Sequence, residues 1–159
     1  MSFFRRIGVC LSVGVLAASV AEAGGPRDIG GFVLGGTMDA AQRHAAEQEW
    51  TLKPLSDNLP GRWVVEGEAL TLFVCEGTIT SVAKQLDGDL EEFAALVFSM
   101  QLELGEPDIQ ITSVPSGVGS IATIDARFET DDGAASVVLQ SLGGARTFAV
   151  NHWIASACH

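Results

Sequence analysis

The clearest pattern in the chain is an alternation of apolar and polar residues between residues 121 and 130. Every second position is apolar and those between are polar or charged: Ala122, Ile124, Ala126 and Phe128 against Thr123, Asp125, Arg127 and Glu129. Successive side chains of a strand point to opposite faces, so this segment is predicted to be a strand with one buried and one wet face.

Residues 89–105 follow a different period. Five apolar residues recur at spacings of three and four, as on one face of a helix: Leu90, Phe93, Val97, Met100 and Leu104. Asp89 and Glu92 have the spacing of a capping box, while Gly105 and Pro107 are typical of a helix end. This is the clearest helix prediction in the chain.

The rest of the chain predicts one more helix and several strands. The stretch GFVLGGTMDAAQRHAAEQEW predicts a short strand, a glycine turn and a helix that Thr37 can cap. His44 on that helix is expected at the surface because no second ligand or base lies one turn away. Strands are predicted in seven further segments: WTLKPL, RWVVE, ALTLFVC, TITSVAKQL, DIQITSV, AASVVLQSL and ARTFAVNHWIASA. The turns between them are short, which favours a meander. The expected fold class is therefore α+β, with two helices packed on an antiparallel β-meander sheet, in an order that suggests two helix-then-strands units.

The beginning of the chain has the order of a secretory signal peptide. Arg5 and Arg6 form a basic start, an uncharged apolar stretch covers residues 7–20, and Ala21-Glu22-Ala23 resembles a cleavage site. The apolar stretch is shorter than the roughly 20 residues that a membrane span needs. We therefore expect a signal peptide at residues 1–23, cut after Ala23, a flexible leader at 24–30, a single domain at 31–159, no transmembrane segment in the mature chain, and a periplasmic or secreted location.

Charge limits the choice of partner. Removing residues 1–23 takes away two arginines and one glutamate, which leaves seven basic and nineteen acidic residues and a formal net charge of −12. Nucleic acid is not expected as a partner, because phosphate binding needs clustered Lys and Arg. A basic macromolecule would be attracted instead, although an acidic surface also serves solubility alone.

The same cleavage would leave two cysteines, Cys75 and Cys158. In an oxidising compartment two thiols allow one intramolecular disulfide, which would hold the C-terminus against a central strand. Two alternatives stay open. Cys75 could be a nucleophile, although its apolar neighbours do not activate a thiol. It could also bind zinc together with Cys158, His152 and His159, although CxxC and HxxxH spacings are absent.

Few other residues indicate a site. No catalytic or metal-binding motif is recognisable, and no cofactor is expected. The three tryptophans are typical of a core but could also line a groove. His152 and Trp153 form an aromatic–histidine pair on the last predicted strand, and with Trp63 they are the candidate ligand-surface residues.

The stretch LGGTMDAAQRHAAE resembles the helix openings of small bacterial envelope proteins, such as the outer-membrane assembly lipoproteins of the BamE type and the β-lactamase-inhibitor-like proteins. The later LGEPD is similar to a Gly-x-Pro step that follows the second helix in many exported proteins. The similarity covers about a fifth of the chain, consists mainly of helix-capping residues, and lacks the lipid-attachment cysteine of the lipoproteins. It implies a binding or scaffold role and transfers no catalytic residue.

These features favour an exported, non-enzymatic binding protein for a protein or small-molecule ligand, for example an inhibitor of, or partner for, a basic macromolecule. Two alternatives remain: a hydrolase or other enzyme with an unrecognised carboxylate or histidine site, and an envelope assembly or structural component.

The signal-peptide prediction can be tested by mass. We expect the protein recovered from the cell envelope fraction to begin at Gly24, because Ala21 and Ala23 place small residues where signal peptidase binds. Intact-mass measurement checks this, and a chain that retains residues 1–23 after export would contradict it.

Overall fold

The computed structural model of the chain describes residues 28–117, 119–155 and 158; the predicted signal peptide lies outside them. Two helices occur in these residues, α1 (Met38–Glu47) and α2 (Leu90–Leu104). The strands are β1 (Asp28–Ile29), β2 (Phe32–Val33), β3 (Thr51–Pro54), β4 (Arg62–Glu66), β5 (Leu70–Cys75), β6 (Thr78–Leu86), β7 (Asp108–Ser116), β8 (Gly119–Thr130), β9 (Gly133–Leu142) and β10 (Ala145–Ile154).

Eight of these strands form one antiparallel sheet in the order β3-β4-β5-β6-β10-β9-β8-β7. Each half of the sheet is a four-stranded meander preceded by a helix, α1 before β3–β6 and α2 before β7–β10. The last strands of the two halves, β6 and β10, pair with each other at the centre, from Leu86 opposite Phe148 to Ser81 opposite Trp153. The predicted α+β meander with two helix-then-strands units is confirmed.

Both helices lie on the same face of the sheet. One row of paired residues crosses five strands on this face: Leu72, Val82, His152, Ala135 and Phe128. Leu72 and Val82 belong to the core cluster that contains Ala41 and Ala45 of α1. Ala135 and Phe128 belong to the cluster that contains Phe93 and Met100 of α2. The core therefore consists of two parts, one under each helix, joined through the central strands.

The residues predicted to cap the helices do so in the structure. Thr37 accepts a hydrogen bond from the Ala40 N–H at 3.2 Å and caps α1. At α2, Asp89 and Glu92 form the complete capping box, with Glu92 accepting from the Asp89 N–H at 3.0 Å. Gly105 ends this helix at a φ of 92°, which a residue with a side chain rarely adopts. Within the described part of the chain, neither helix has the length and apolar character of a membrane span.

A tight turn and a bulge set the register between β5 and β6. Glu76 and Gly77 both have positive φ, 50° and 79°, as a two-residue hairpin turn requires. The pairing then shifts, because Val74 lies opposite Ile79 whereas Phe73 lies opposite Ser81. Thr80 is the extra residue of this bulge, and it keeps Ile79 on the helix side, where Ile79 is buried in the core.

The hairpin β1–β2 packs against α1 and partly covers the side chain of His44. Part of the segment predicted as a leader, residues 28–30, belongs to this hairpin. The His44 ring lies edge-on to Phe32 and Trp50, and its Nε2 is 3.0 Å from the carbonyl oxygen of Gly30. His44 is therefore half-buried, whereas the sequence led us to expect a surface residue. The short strand predicted before the glycine turn is confirmed as β2, but its pairing with β1 and the packing of this hairpin on His44 have no local signal in the sequence.

The structure contains the disulfide bond between Cys75 and Cys158, with a Cα–Cα distance of 5.9 Å and 83 residues of sequence separation. It joins the end of β5 to the segment that follows β10, so it links the two halves of the sheet covalently. Because both sulfur atoms are bonded, neither cysteine is available as a nucleophile or a zinc ligand in this state.

Replacing both cysteines with serine is expected to lower the free energy of unfolding by about 4–5 kcal/mol, since the bond closes a long loop in the unfolded chain. Denaturant titration of the oxidised protein and the Cys75→Ser, Cys158→Ser variant measures the difference. The reduced wild-type protein is the control and should match the variant. Equal midpoints for the oxidised and reduced proteins would show that the bond adds nothing to stability.

Candidate functional site

The face of the sheet opposite the helices carries the candidate site, and we call it the open face. Its side chains come from the alternate positions of the strands, which the pairing registers align: Arg62, Phe73, Ser81 and Trp153 near one end, and Ser136, Arg127 and Asp108 across β9, β8 and β7. Both core clusters lie on the other side. The polar set of the β8 alternation, Thr123 to Glu129, lies on the open face as predicted.

A depression of about 260 Å³ lies where the two halves of the sheet meet. The half-buried rings of Phe73 and Trp153 contribute its apolar surface, and the Asn151 amide and the exposed Arg62 guanidinium its polar groups. Its full lining is Arg62, Thr71, Leu72, Phe73, Ser81, Ala83, Asn151 and Trp153. The residues come from β4, β5, β6 and β10, so the depression depends on the central β6–β10 pairing.

Contacts across the strands hold several of these side chains in place. The Arg127 guanidinium lies over the Trp153 ring, 5.2 Å from its centre, in a cation–π arrangement. Arg127 also donates from Nε to Glu129 at 2.8 Å. The Asn151 amide donates to the Ser136 hydroxyl at 3.3 Å. Trp153 and Asn151 are therefore oriented before any ligand arrives, which reduces the entropy lost on binding.

The open face is close to neutral, unlike the protein as a whole. Lys53 pairs with Glu66 across β3 and β4 at 2.6 Å, and Arg127 pairs with Glu129. The negative charge is concentrated elsewhere: residues 85–126 contain eight carboxylates and no lysine or arginine. Of these eight, Asp108 and Asp125 lie on the open face. The open face therefore does not share the strongly negative net charge of the whole protein.

Asp125 is the open-face residue with an unusual environment. It is half-buried between Gln110 and Val138, and its Oδ1 atom is buried and accepts no hydrogen bond from any described residue. Burial raises the pKa of this carboxyl above its usual value, Arg127 opposes that rise, and Asp108 adds to it. One oxygen of the Asp125 carboxyl thus gives up solvation without accepting a hydrogen bond in return.

The three candidate ligand-surface residues do not meet at one place. Trp153 lies on the open face, in the depression. His152 is buried on the helix side, because adjacent residues of a strand alternate between faces. Trp63 is also on the helix side, opposite Leu72, and packs against the core. Arg62 and Phe73 were not singled out from the sequence. Their position beside Trp153 depends on pairing between distant strands, for which the chain carries no local signal.

The described residues hold no group of three or more His, Cys, Asp or Glu side chains placed to bind a metal ion. Comparison of the chain with protein-family models, with curated proteins and with solved structures finds no match.

The raised pKa of Asp125 leads to a stability prediction. A carboxyl whose pKa is raised on folding favours the folded state below its unfolded pKa, and this advantage is lost as the pH rises through the folded pKa. Asp125→Asn is therefore expected to raise the melting temperature at pH 7 and to change it little at pH 3. Glu129→Gln on the same face is the control, because Glu129 is exposed and bonded to Arg127. A loss of stability at pH 7 in the Asp125→Asn variant would contradict the prediction.

Proposed function

We propose that the protein is an exported, non-enzymatic binding protein that holds a protein partner against its open face. An inhibitor of a basic enzyme is one form that this function can take. The observation behind the proposal is the depression at the centre of a sheet face that no described helix covers, lined by two aromatic rings, an arginine and an amide. Aromatic residues and arginine are enriched where proteins bind one another, above all at the positions that contribute most affinity.

The size of the depression favours a protein over a small molecule. Pockets for drug-sized ligands are about 300–1,000 Å³ and enclose most of the ligand. This depression is smaller and open to one side, and it is part of a face that runs across eight strands. It suits one apolar or aromatic side chain of a partner whose surrounding surface covers the rest of the face. Cation–π packing of Arg127 against Trp153 supports a rigid anchor of this kind.

A hydrolase is the second candidate, and Asp125 is the observation that favours it. Carboxyls whose pKa is raised by burial are used as general acids and bases. The nearby side chains weaken this candidate, however. His152 is on the opposite side of the sheet, and Arg127, the charged group that acts on Asp125 most strongly, is already engaged with Trp153 and Glu129.

The proposal is tested by replacing the aromatic anchor. We expect Trp153→Ala and Arg62→Ala to reduce capture of the native partner from the organism's own envelope fraction by about tenfold or more, as for residues central to an interface. Phe98→Ala is the matched control, because Phe98 is an exposed aromatic residue on α2, on the helix side of the sheet.

Three other outcomes would argue against the open face as a protein-binding surface. Equal capture by all variants would place the interface elsewhere. A hydrolytic activity lost in the Asp125→Asn variant, with no partner captured, would favour the enzyme. Capture of an envelope assembly complex that depends on none of these residues would favour a structural component.

A further inference from the structure

The two edges of the sheet differ in length and chemistry. The edge strand β3 has four residues and contains Lys53 and Pro54, which discourage pairing with another strand. The opposite edge strand, β7, has nine residues with a single charge, Asp108, and its one proline, Pro115, lies next to its end, so residues 108–114 are free of proline. Its residues are exposed from Asp108 to Pro115, and among the described elements it pairs only with β8. β7 is therefore a long strand with one row of backbone groups available to another chain.

The helix side of β7 also carries uncovered apolar residues. Ile109 and Ile111 are 55% and 75% exposed, and they lie opposite Ala126 and Ile124 of β8. These two isoleucines continue the apolar rows that α2 covers further inside the sheet. A groove of about 210 Å³ lies one strand inward, between the first turn of α2 and the strands β8, β9 and β10, and its lining residues are Leu90, Ala122, Ile124, Leu139, Ser141 and Arg146.

We propose that β7 accepts an extended, basic segment of another protein as a ninth strand. Its backbone pairs with the free edge, and its alternate apolar side chains cover Ile109 and Ile111 in the direction of the groove. This is recognition by strand addition, in which the backbone gives affinity and the side-chain surface gives specificity. The site is separate from the open face and does not depend on the function proposed for it.

Charge identifies the occupant. The segment 85–126, which includes α2 and β7, has eight carboxylates and no lysine or arginine, and seven of the eight are exposed. A second copy of the chain would bring two such segments together, whereas a lysine- or arginine-containing strand meets opposite charge. Like charges placed together at an interface cost several kcal/mol, and complementary charges speed association.

A designed peptide tests this proposal directly. The probe is a nine-residue peptide that alternates lysine with valine or isoleucine, with blocked ends, and its binding to the full oxidised chain is measured by fluorescence anisotropy. We expect it to bind about tenfold or more tightly than the same peptide with glutamate in place of lysine. Affinity should fall as salt is added, because exposed charges are screened beyond about 8–10 Å at physiological ionic strength. N-methylation of alternate peptide bonds along one edge should abolish binding.

Two variants of β7 locate the contact. Ile111→Lys and Val114→Lys add the same charge to the same strand, but Ile111 is on the helix side and Val114, 51% exposed, is on the open side. Ile111→Lys should weaken the peptide about tenfold more than Val114→Lys. Both side chains are solvent-exposed, so both variants should fold with unchanged melting temperature. Trp153→Ala should leave peptide binding unchanged.

Several results would overturn the proposal. Equal binding of the lysine and glutamate peptides would remove the role of charge, and binding of the N-methylated peptide would exclude strand addition. Absence of binding, or loss of binding in the Trp153→Ala variant alone, would mean that β7 is not the site. A dimer in sedimentation experiments that Ile111→Lys dissociates would identify a second copy of the chain as the occupant.

Discussion

The pairing of β6 with β10 is the interaction on which the rest of the structure depends. Each half of the chain by itself would be a helix over four strands, with a long central strand left at an edge. Pairing these two strands removes two edges and joins the core under α1 to the core under α2. The Cys75–Cys158 bond connects the same two halves. Six residue pairs and one covalent bond therefore make a single sheet from two similar units.

The β6–β10 pairing also determines where the open face and the two sheet edges lie. Both helices cover one face, and no helix among the described residues covers the other face of the eight strands. The depression with Trp153 and Phe73 forms across the join, because its residues come from strands of both halves. The outer edges are unequal as a consequence of local sequence: β3 has four residues and contains Lys53 and Pro54, whereas β7 has nine residues with Pro115 next to its end. The molecule thus presents a nearly neutral face with aromatic residues and a long edge strand with exposed isoleucines, which belongs to an acidic segment of the chain.

The boundaries of the elements could be predicted well because they depend on neighbouring residues. β6 covers Thr78–Leu86 as predicted, since Glu76-Gly77 is favourable for a tight turn and Asp89 is a strong cap. The face of each β8 residue followed from strict alternation. The disulfide followed from the number of cysteines left after the predicted export, without any knowledge of the fold. His44 was misjudged because the hairpin that covers it is held by contacts with Phe32 and Gly30.

The sequence by itself determined the α+β class, the helix caps, the turns and the alternation of the strands, since these depend on interactions within a few residues. Only the tertiary structure decided the strand order, which of the neighbours His152 and Trp153 lies on the helix side, and the meeting of Arg62, Phe73 and Trp153. The physical reason is register. These positions depend on the β6–β10 pairing between residues more than sixty apart in the chain and on the bulge at Thr80, which shifts one strand by a residue. No local pattern records either of them.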